Sequence, residues 1–164
     1  MHKLLAGLGS LAVAALAATA AQAQDTVKIG VIAAYTGQFA DTALQIDQGI
    51  KLYIKQHGDT VAGKKIVVIP KDTGGPDGAK AAQLAQELVT RDGVDILAGF
   101  TLTPEAMGAA TVSEKAKKFM VNMNAATSVV ITKSPYMVRS SVTLPMRAST
   151  MGKWAATKGG IKKA

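Results

Sequence analysis

The chain has 164 residues, of which 48% are hydrophobic, 18% are charged and 4% are aromatic, and its formal net charge is +8. The lack of cysteine excludes a disulfide scaffold, a thiolate zinc site and a cysteine nucleophile. The hydrophobic fraction is too high for a disordered tail, and the aromatic fraction is too low for a platform that stacks single-stranded nucleic acid. We therefore expect a folded chain with a core.

The first 23 residues predict a signal peptide. Lys3 provides the positive charge that signal peptides carry near the N-terminus, and an apolar run extends from Leu4 to Ala18. Ala21-Gln22-Ala23 then provides the small residues at which a signal peptidase cleaves. A transmembrane anchor needs about 18–20 strongly apolar residues, whereas this run is short and rich in alanine and glycine. We expect an exported mature chain, residues 24–164, that does not span the membrane.

Strand-like and helix-like patterns alternate along the mature chain. Short β-branched runs predict strands at 27–34, 65–69, 94–100, 119–122 and 136–139. Apolar residues at helical spacing predict helices at 42–57, 79–91, 103–117 and 145–157. This alternation is typical of a three-layer α/β sandwich with a mostly parallel sheet and helices on both faces.

Two loops of this sheet carry the residue types of an anion site. In an open parallel sheet the ligand crevice lies beyond the carboxyl ends of the strands, where residues 99–104 and 124–128 are expected. Both loops bring hydroxyls and backbone N–H groups to a helix-like start, which favours an anion such as a carboxylate. The alternative is structural, with Thr103 only capping its helix ahead of Pro104 and Thr127 only shaping a turn.

Enzyme and nucleic-acid functions are disfavoured. His57 is the single histidine of residues 24–164, so a catalytic triad or a zinc site has no second imidazole, and we expect no metal and no cofactor. Asp72 and Asp77 lie in a Gly/Pro turn, where aspartate commonly shapes the backbone. Residues 115–164 contain ten Lys or Arg and no acid. A nucleic-acid face is one interpretation, but in an exported protein we favour a solvated surface and no nucleic-acid partner.

An ordered series of short motifs runs along the mature chain: Lys28-Ile29-Gly30-Val31, Thr36-Gly37, Gly49, Asp72, Asp92-Gly93-Val94, Gly99, Asn124-Ala125-Ala126-Thr127, Ser134-Pro135-Tyr136 and Arg139. This series resembles the N-terminal lobe of the periplasmic solute-binding proteins of branched-chain amino acid type ABC transporters, which have the type I periplasmic binding protein fold.

The resemblance implies a two-lobed periplasmic receptor that closes on a small solute and delivers it to a membrane permease. It implies carboxylate contacts through hydroxyl and backbone groups at four positions: Thr103, Ala125, Ala126 and Thr127. Thr101 falls where the family lines the pocket near the ligand side chain. Thr42 occupies a position that is often an aromatic side-chain contact in branched-chain amino acid binders.

The resemblance leaves the ligand as an amino acid or an aromatic carboxylate. Many members carry a serine pair where this chain has Leu102-Thr103, and the loop at 99–104 is similar to that of relatives that take aromatic carboxylates. We expect residues 24–164 to be the N-terminal ligand-binding lobe, ending at Ala164 before the second lobe. The alternative is a ligand-sensing domain of a receptor or amide/amino-acid regulator with the same fold.

Overall fold

The computed structural model describes residues 25–161, so the expected signal peptide at 1–23 lies outside the described residues. Six strands and four α-helices follow one another in these bounds: β1 Thr26–Ala33, α1 Ala40–His57, β2 Thr60–Val61, β3 Lys64–Asp72, α2 Gly78–Thr90, β4 Ile96–Gly99, α3 Thr103–Ala116, β5 Phe119–Asn122, β6 Met137–Arg139 and α4 Leu144–Thr157. A short 3₁₀ helix, Ser128–Thr132, lies between β5 and β6.

The strands form one sheet in the order β2-β3-β1-β4-β5-β6. All neighbours are parallel except the short strand β2, which pairs antiparallel with β3 and was not predicted from the sequence. In the register of the sheet, Ile32 of β1 pairs with Gly99, Gly99 with Asn122, and Asn122 with Arg139. The carboxyl ends of β1, β4, β5 and β6 therefore meet in one row, from which the loops of the predicted crevice leave.

Helices cover both faces of the sheet, as predicted. Ile32 faces a core shared with Leu88 of α2 and Ala109 of α3. Because side chains alternate between faces along a strand, Ile29 points to the other side, where it lines an apolar cavity of about 510 Å³ together with Ile50 of α1. None of the helices between residues 25 and 161 is long and apolar enough to cross a membrane.

The helix pair α2–α3 packs through small residues. Its core positions are Ala81, Ala85, Ala106, Ala109 and Ala110, all fully buried. A Cβ atom built on Gly108 would lie 1.9 Å from the carbonyl oxygen of Gly78. The backbones approach so closely at this crossing that only glycine fits at position 108.

The predicted third strand, 94–100, is too long, because β4 spans only Ile96–Gly99. Gly93, with φ +65°, still belongs to the turn that leaves α2. At the other end Gly99 has φ +104°, a value that L-residues rarely adopt, and a Cβ there would lie 2.4 Å from the carbonyl oxygen of Ile32. The strand therefore stops at Gly99 and the chain turns out of the sheet.

We expect Gly108→Ala to lower the free energy of unfolding by about 1–3 kcal/mol, because the added methyl group must push α2 and α3 apart. Gly49→Ala is the matched control, since Gly49 is also helical but a Cβ there would meet no atom within 4 Å. The control should be neutral or stabilising by up to about 1 kcal/mol. Urea unfolding measures both variants, and equal stabilities would contradict the close crossing.

Candidate functional site

The two predicted loops meet through a pair of hydroxyls. Thr103 is the first residue of α3, and Thr127 immediately precedes the 3₁₀ helix. Their Oγ1 atoms lie 2.7 Å apart, within hydrogen-bond distance, and both side chains are half-buried. One hydroxyl donates its hydrogen to the other, so the hydrogen of the second remains available to an outside acceptor.

Thr103 is not the N-cap that its sequence context predicts. The N-cap position is Leu102, whose backbone N–H donates to Glu105 Oε2 at 2.9 Å. Glu105 in the first turn thus satisfies the N–H of the N-cap residue itself. Because Thr103 lies one position inside the helix, its hydroxyl is available for its contact with Thr127.

In the loop formed by residues 125–127, all three carbonyl oxygens accept hydrogen bonds, whereas two of the N–H groups donate none within the described residues. Its carbonyl oxygens accept the following bonds: Ala125 O from Asn122 Nδ2 (2.8 Å) and Arg139 Nη1, Ala126 O from the N–H of Leu144 (2.9 Å), and Thr127 O from Arg139 Nη2 (2.6 Å). Within residues 25–161, the N–H groups of Ala126 and Thr127 donate no hydrogen bond. Together with the threonine hydroxyls, these groups match the acceptor oxygens of an anion such as a carboxylate.

Two other candidate residues have structural contacts. Ala125 is buried, and its N–H donates to Phe100 O at 3.0 Å. Thr101 is only 1% exposed, and its Oγ1 accepts from the N–H of Ala34 at 3.0 Å, which ties the end of β1 to the end of β4. The Thr101 carbonyl accepts from Asn124 Nδ2 at 2.7 Å, which joins the two loops a second time.

Thr42, the remaining candidate, lies in the first turn of α1 rather than in either loop. It is half-buried, and its N–H donates to Phe39 O at 3.1 Å. The described hydrogen bonds of residues 25–161 do not join Thr42 to Thr103 or to Thr127. Its expected contact with a ligand side chain stays a prediction.

The fully buried carboxyl group of Glu105 links two segments next to the site. Glu105 accepts from Thr73 Oγ1 at 2.6 Å as well as from Leu102, so it links the end of β3 to the start of α3. Burial raises the pKa of Glu105 above its ordinary value, and the hydrogen bonds from Thr73 and Leu102 only partly oppose this rise. The sequence pattern did not indicate this role of Glu105, although an acid in the first turn is a common feature of helix starts.

The two aspartates of the Gly/Pro turn shape the backbone, as predicted. Asp72 accepts from the N–H groups of Tyr35, Thr36 and Gly74 and from the Thr36 hydroxyl. Burial would raise the pKa of Asp72, but these hydrogen bonds outweigh it and hold the pKa below its ordinary value. Asp77 caps α2. Residues 25–161 contain no group of three or more His, Asp or Glu side chains that could hold a metal ion.

We expect the buried Glu105 to make the protein lose stability as pH rises from its ordinary pKa of about 4.5. A carboxyl whose pKa is higher in the folded than in the unfolded state favours folding only while it is protonated, so its contribution falls as pH rises through the folded pKa. Glu105→Gln cannot ionise and should lack this slope. Urea unfolding of both proteins between pH 4.5 and 7.5 measures the difference, and parallel pH profiles would contradict it.

The chain matches a known family over most of its length. The model of the periplasmic binding protein family matches residues 26–164. Leu/Ile/Val-binding protein homolog 6 of Brucella abortus (strain 2308) is 43% identical over 156 residues, which are 95% of this chain and 40% of that relative. The chain therefore spans about 40% of the length of the curated relatives it matches.

Solved structures show the same fold. A solute-binding protein of an ABC transporter from Rhodopseudomonas palustris BisB5, in complex with 3,4-dihydroxybenzoic acid, is 49% identical with a TM-score of 0.79, covering 82% of this chain and 37% of that one. Its counterpart from R. palustris HaA2, with p-hydroxybenzoic acid, is 40% identical with the same TM-score and coverage. A leucine-binding protein from Thermotoga maritima, at 22% identity and a TM-score of 0.76 over 82% of this chain and 38% of that one, shares the fold. The described sheet is a lobe of the type I periplasmic binding protein fold, and the chain belongs to the periplasmic binding protein family.

Proposed function

We propose that this protein is the substrate-binding component of an ABC importer, which captures a small carboxylate-bearing solute in the periplasm and passes it to a membrane permease. The observation that carries the proposal is the 2.7 Å pair of Thr103 and Thr127 hydroxyls beside the unbonded N–H groups of Ala126 and Thr127. The role is binding rather than catalysis, because these groups donate hydrogen bonds but include no general base or nucleophile activated by one. The family and its solute-binding relatives support this reading.

The polarity of the site favours an aromatic carboxylate over an amino acid. An amino acid needs acceptors for its ammonium group, but the carbonyls of Ala125 and Thr127 each already accept two bonds from within the protein. A benzoate needs only donors for its carboxylate. The relatives that are 49% and 40% identical hold dihydroxy- and hydroxybenzoic acid, which is consistent with that choice.

A branched-chain amino acid is the second candidate, because the curated relatives at 43% identity are named as homologues of Leu/Ile/Val-binding proteins. Titrating the ¹⁵N-labelled protein with 4-hydroxybenzoate and with isoleucine separates the two candidates by NMR. We expect 4-hydroxybenzoate to shift the amide signals of Ala126 and Thr127 at lower concentration than isoleucine. The reverse order would favour the amino acid, and no shift with either ligand would contradict the proposed site.

We expect Thr103→Ala and Thr127→Ala each to weaken 4-hydroxybenzoate binding by about tenfold or more, because each removes a hydroxyl from a hydrogen-bonded pair that faces the carboxylate. Thr103→Ser keeps the hydroxyl and should bind within about threefold of the parent protein. Both alanine variants should stay folded, since the hydroxyls are only half-buried. Affinities come from the same NMR titration, and folding is checked by circular dichroism.

Thr111→Ala is the control for these variants. Thr111 lies on α3 like Thr103, but it is exposed and its hydroxyl donates to Gly108 O within the helix. This variant should bind 4-hydroxybenzoate as the parent protein does. Normal binding by both Thr103→Ala and Thr127→Ala across a panel of carboxylates would refute the site assignment.

A further inference from the structure

We infer that Arg139 is a positioning residue for the ligand carboxylate: it holds the 125–127 loop from behind, strengthens that loop as a donor, and supplies positive charge to it. Arg139 is the last residue of β6, and its guanidinium donates through Nη1 to Ala125 O and through Nη2 to Thr127 O. The planar guanidinium of this one side chain thus spans the loop that carries the candidate N–H donors. The inference rests on the proposed function only for the identity of the ligand.

The bridge acts on the peptide group that carries the first candidate N–H donor. The carbonyl of Ala125 belongs to the same peptide unit as the N–H of Ala126, so a charged donor on the oxygen polarises the unit and makes its N–H a stronger donor. The N–H of Leu144, a neutral donor, polarises the next peptide unit more weakly, because it donates to the Ala126 carbonyl, whose unit contains the Thr127 N–H. The start of α4 and the end of β6 therefore act together on two adjacent donors.

The charge of Arg139 has no carboxylate partner in the described part of the chain. The salt bridges of residues 25–161 involve other cations, and the sequence from 115 to 164 contains no acid. The Nε atom of Arg139 is buried without a hydrogen-bond partner in the same described part. A half-buried cation among neutral carbonyls keeps its field, because water screens it less than an exposed charge. A ligand carboxylate on the far side of the loop would be attracted by this field.

Asn122 supports the same bridge. It is fully buried at the end of β5, and its Nδ2 shares the Ala125 carbonyl with Arg139. Arg139 pairs with Asn122 in the register of the sheet, so the strand pairing places both donors on one oxygen. The position of the loop is therefore set by the sheet rather than by the loop sequence alone.

The first test measures the ligand-free protein. Arg139→Lys keeps one charge and the aliphatic stem but cannot bridge two carbonyls with a planar fork, and Arg139→Met removes the charge as well. Arg139→Met should move the Ala126 amide proton signal upfield, because its peptide carbonyl loses a charge-assisted bond. Arg139→Lys should move the signal less, because one ammonium group replaces a fork that bridged two carbonyls. Arg147→Met is the control, since it removes the same charge from the exposed face of α4. An unchanged Ala126 signal in both Arg139 variants would overturn the positioning role.

The second test compares two ligands of the same shape. Arg139→Met should weaken 4-hydroxybenzoate binding about tenfold or more, while the uncharged 4-hydroxybenzamide should lose much less. Arg139→Lys should restore part of the preference for the carboxylate, and Arg147→Met should bind both ligands as the parent protein does. Equal losses for both ligands, with no recovery in the lysine variant, would mean that Arg139 only stabilises the fold, which overturns the inference.

These readouts separate the inference from the proposed function. If the parent protein binds neither 4-hydroxybenzoate nor isoleucine, the proposed function fails, and the amide signal of Ala126 alone decides whether Arg139 positions the loop. If the methionine variant does not fold, the lysine variant decides the inference through the Ala126 signal and the ratio of the two affinities. Parent-like values of both quantities in the lysine variant would overturn it.

Discussion

The close approach of β1 and β4 at Gly99 is the constraint on which the candidate site depends. The N–H of Phe100 donates to Ile32 O at 2.6 Å, and a Cβ at position 99 would lie 2.4 Å from the same oxygen. With φ +104° at Gly99, the chain leaves the sheet toward the Thr103 loop at this point. The parallel register then places Gly99 of β4 opposite Asn122 of β5, and Asn122 opposite Arg139 of β6. The carboxyl ends of these three strands are therefore aligned.

Two ionisable residues, Glu105 and Arg139, hold this edge, one for each loop. Glu105 accepts hydrogen bonds from Thr73 and Leu102 near the start of α3, and Arg139 donates hydrogen bonds to carbonyl oxygens of the 125–127 loop. Each holds backbone groups of its loop. Within residues 25–161 the N–H groups of Ala126 and Thr127 stay unbonded beside the hydroxyl pair, and this is the basis for proposing an anion at this edge.

Sequence periodicity predicted most of the fold, because burial on two faces leaves a clear signal. The β-branched run around Val31 reflects the burial of the second half of β1, and the helical spacing in α1 reflects the one side of that helix that faces the sheet. The short strand β2 carries no such signal, since two exposed residues, Thr60 and Val61, form it by pairing with β3. The end of β4 was also misplaced, because an apolar Phe100 continues the pattern while its backbone has already turned, with φ +69°.

For the site, the sequence determined which residue types stand at the carboxyl ends of the strands: the threonines, the small alanines and the glycine at 99. The residue types at these positions follow from local sequence patterns, because strand ends and helix starts have local signatures. Only the tertiary structure decided that Thr103 pairs with Thr127 rather than capping its helix, because α3 begins at Thr103 itself, with Leu102 as the N-cap and with Glu105 held by its buried contact with Thr73. It also decided that Arg139, twelve residues beyond Thr127, reaches back to that loop. Contacts of this kind depend on strand register, which no window of the sequence contains.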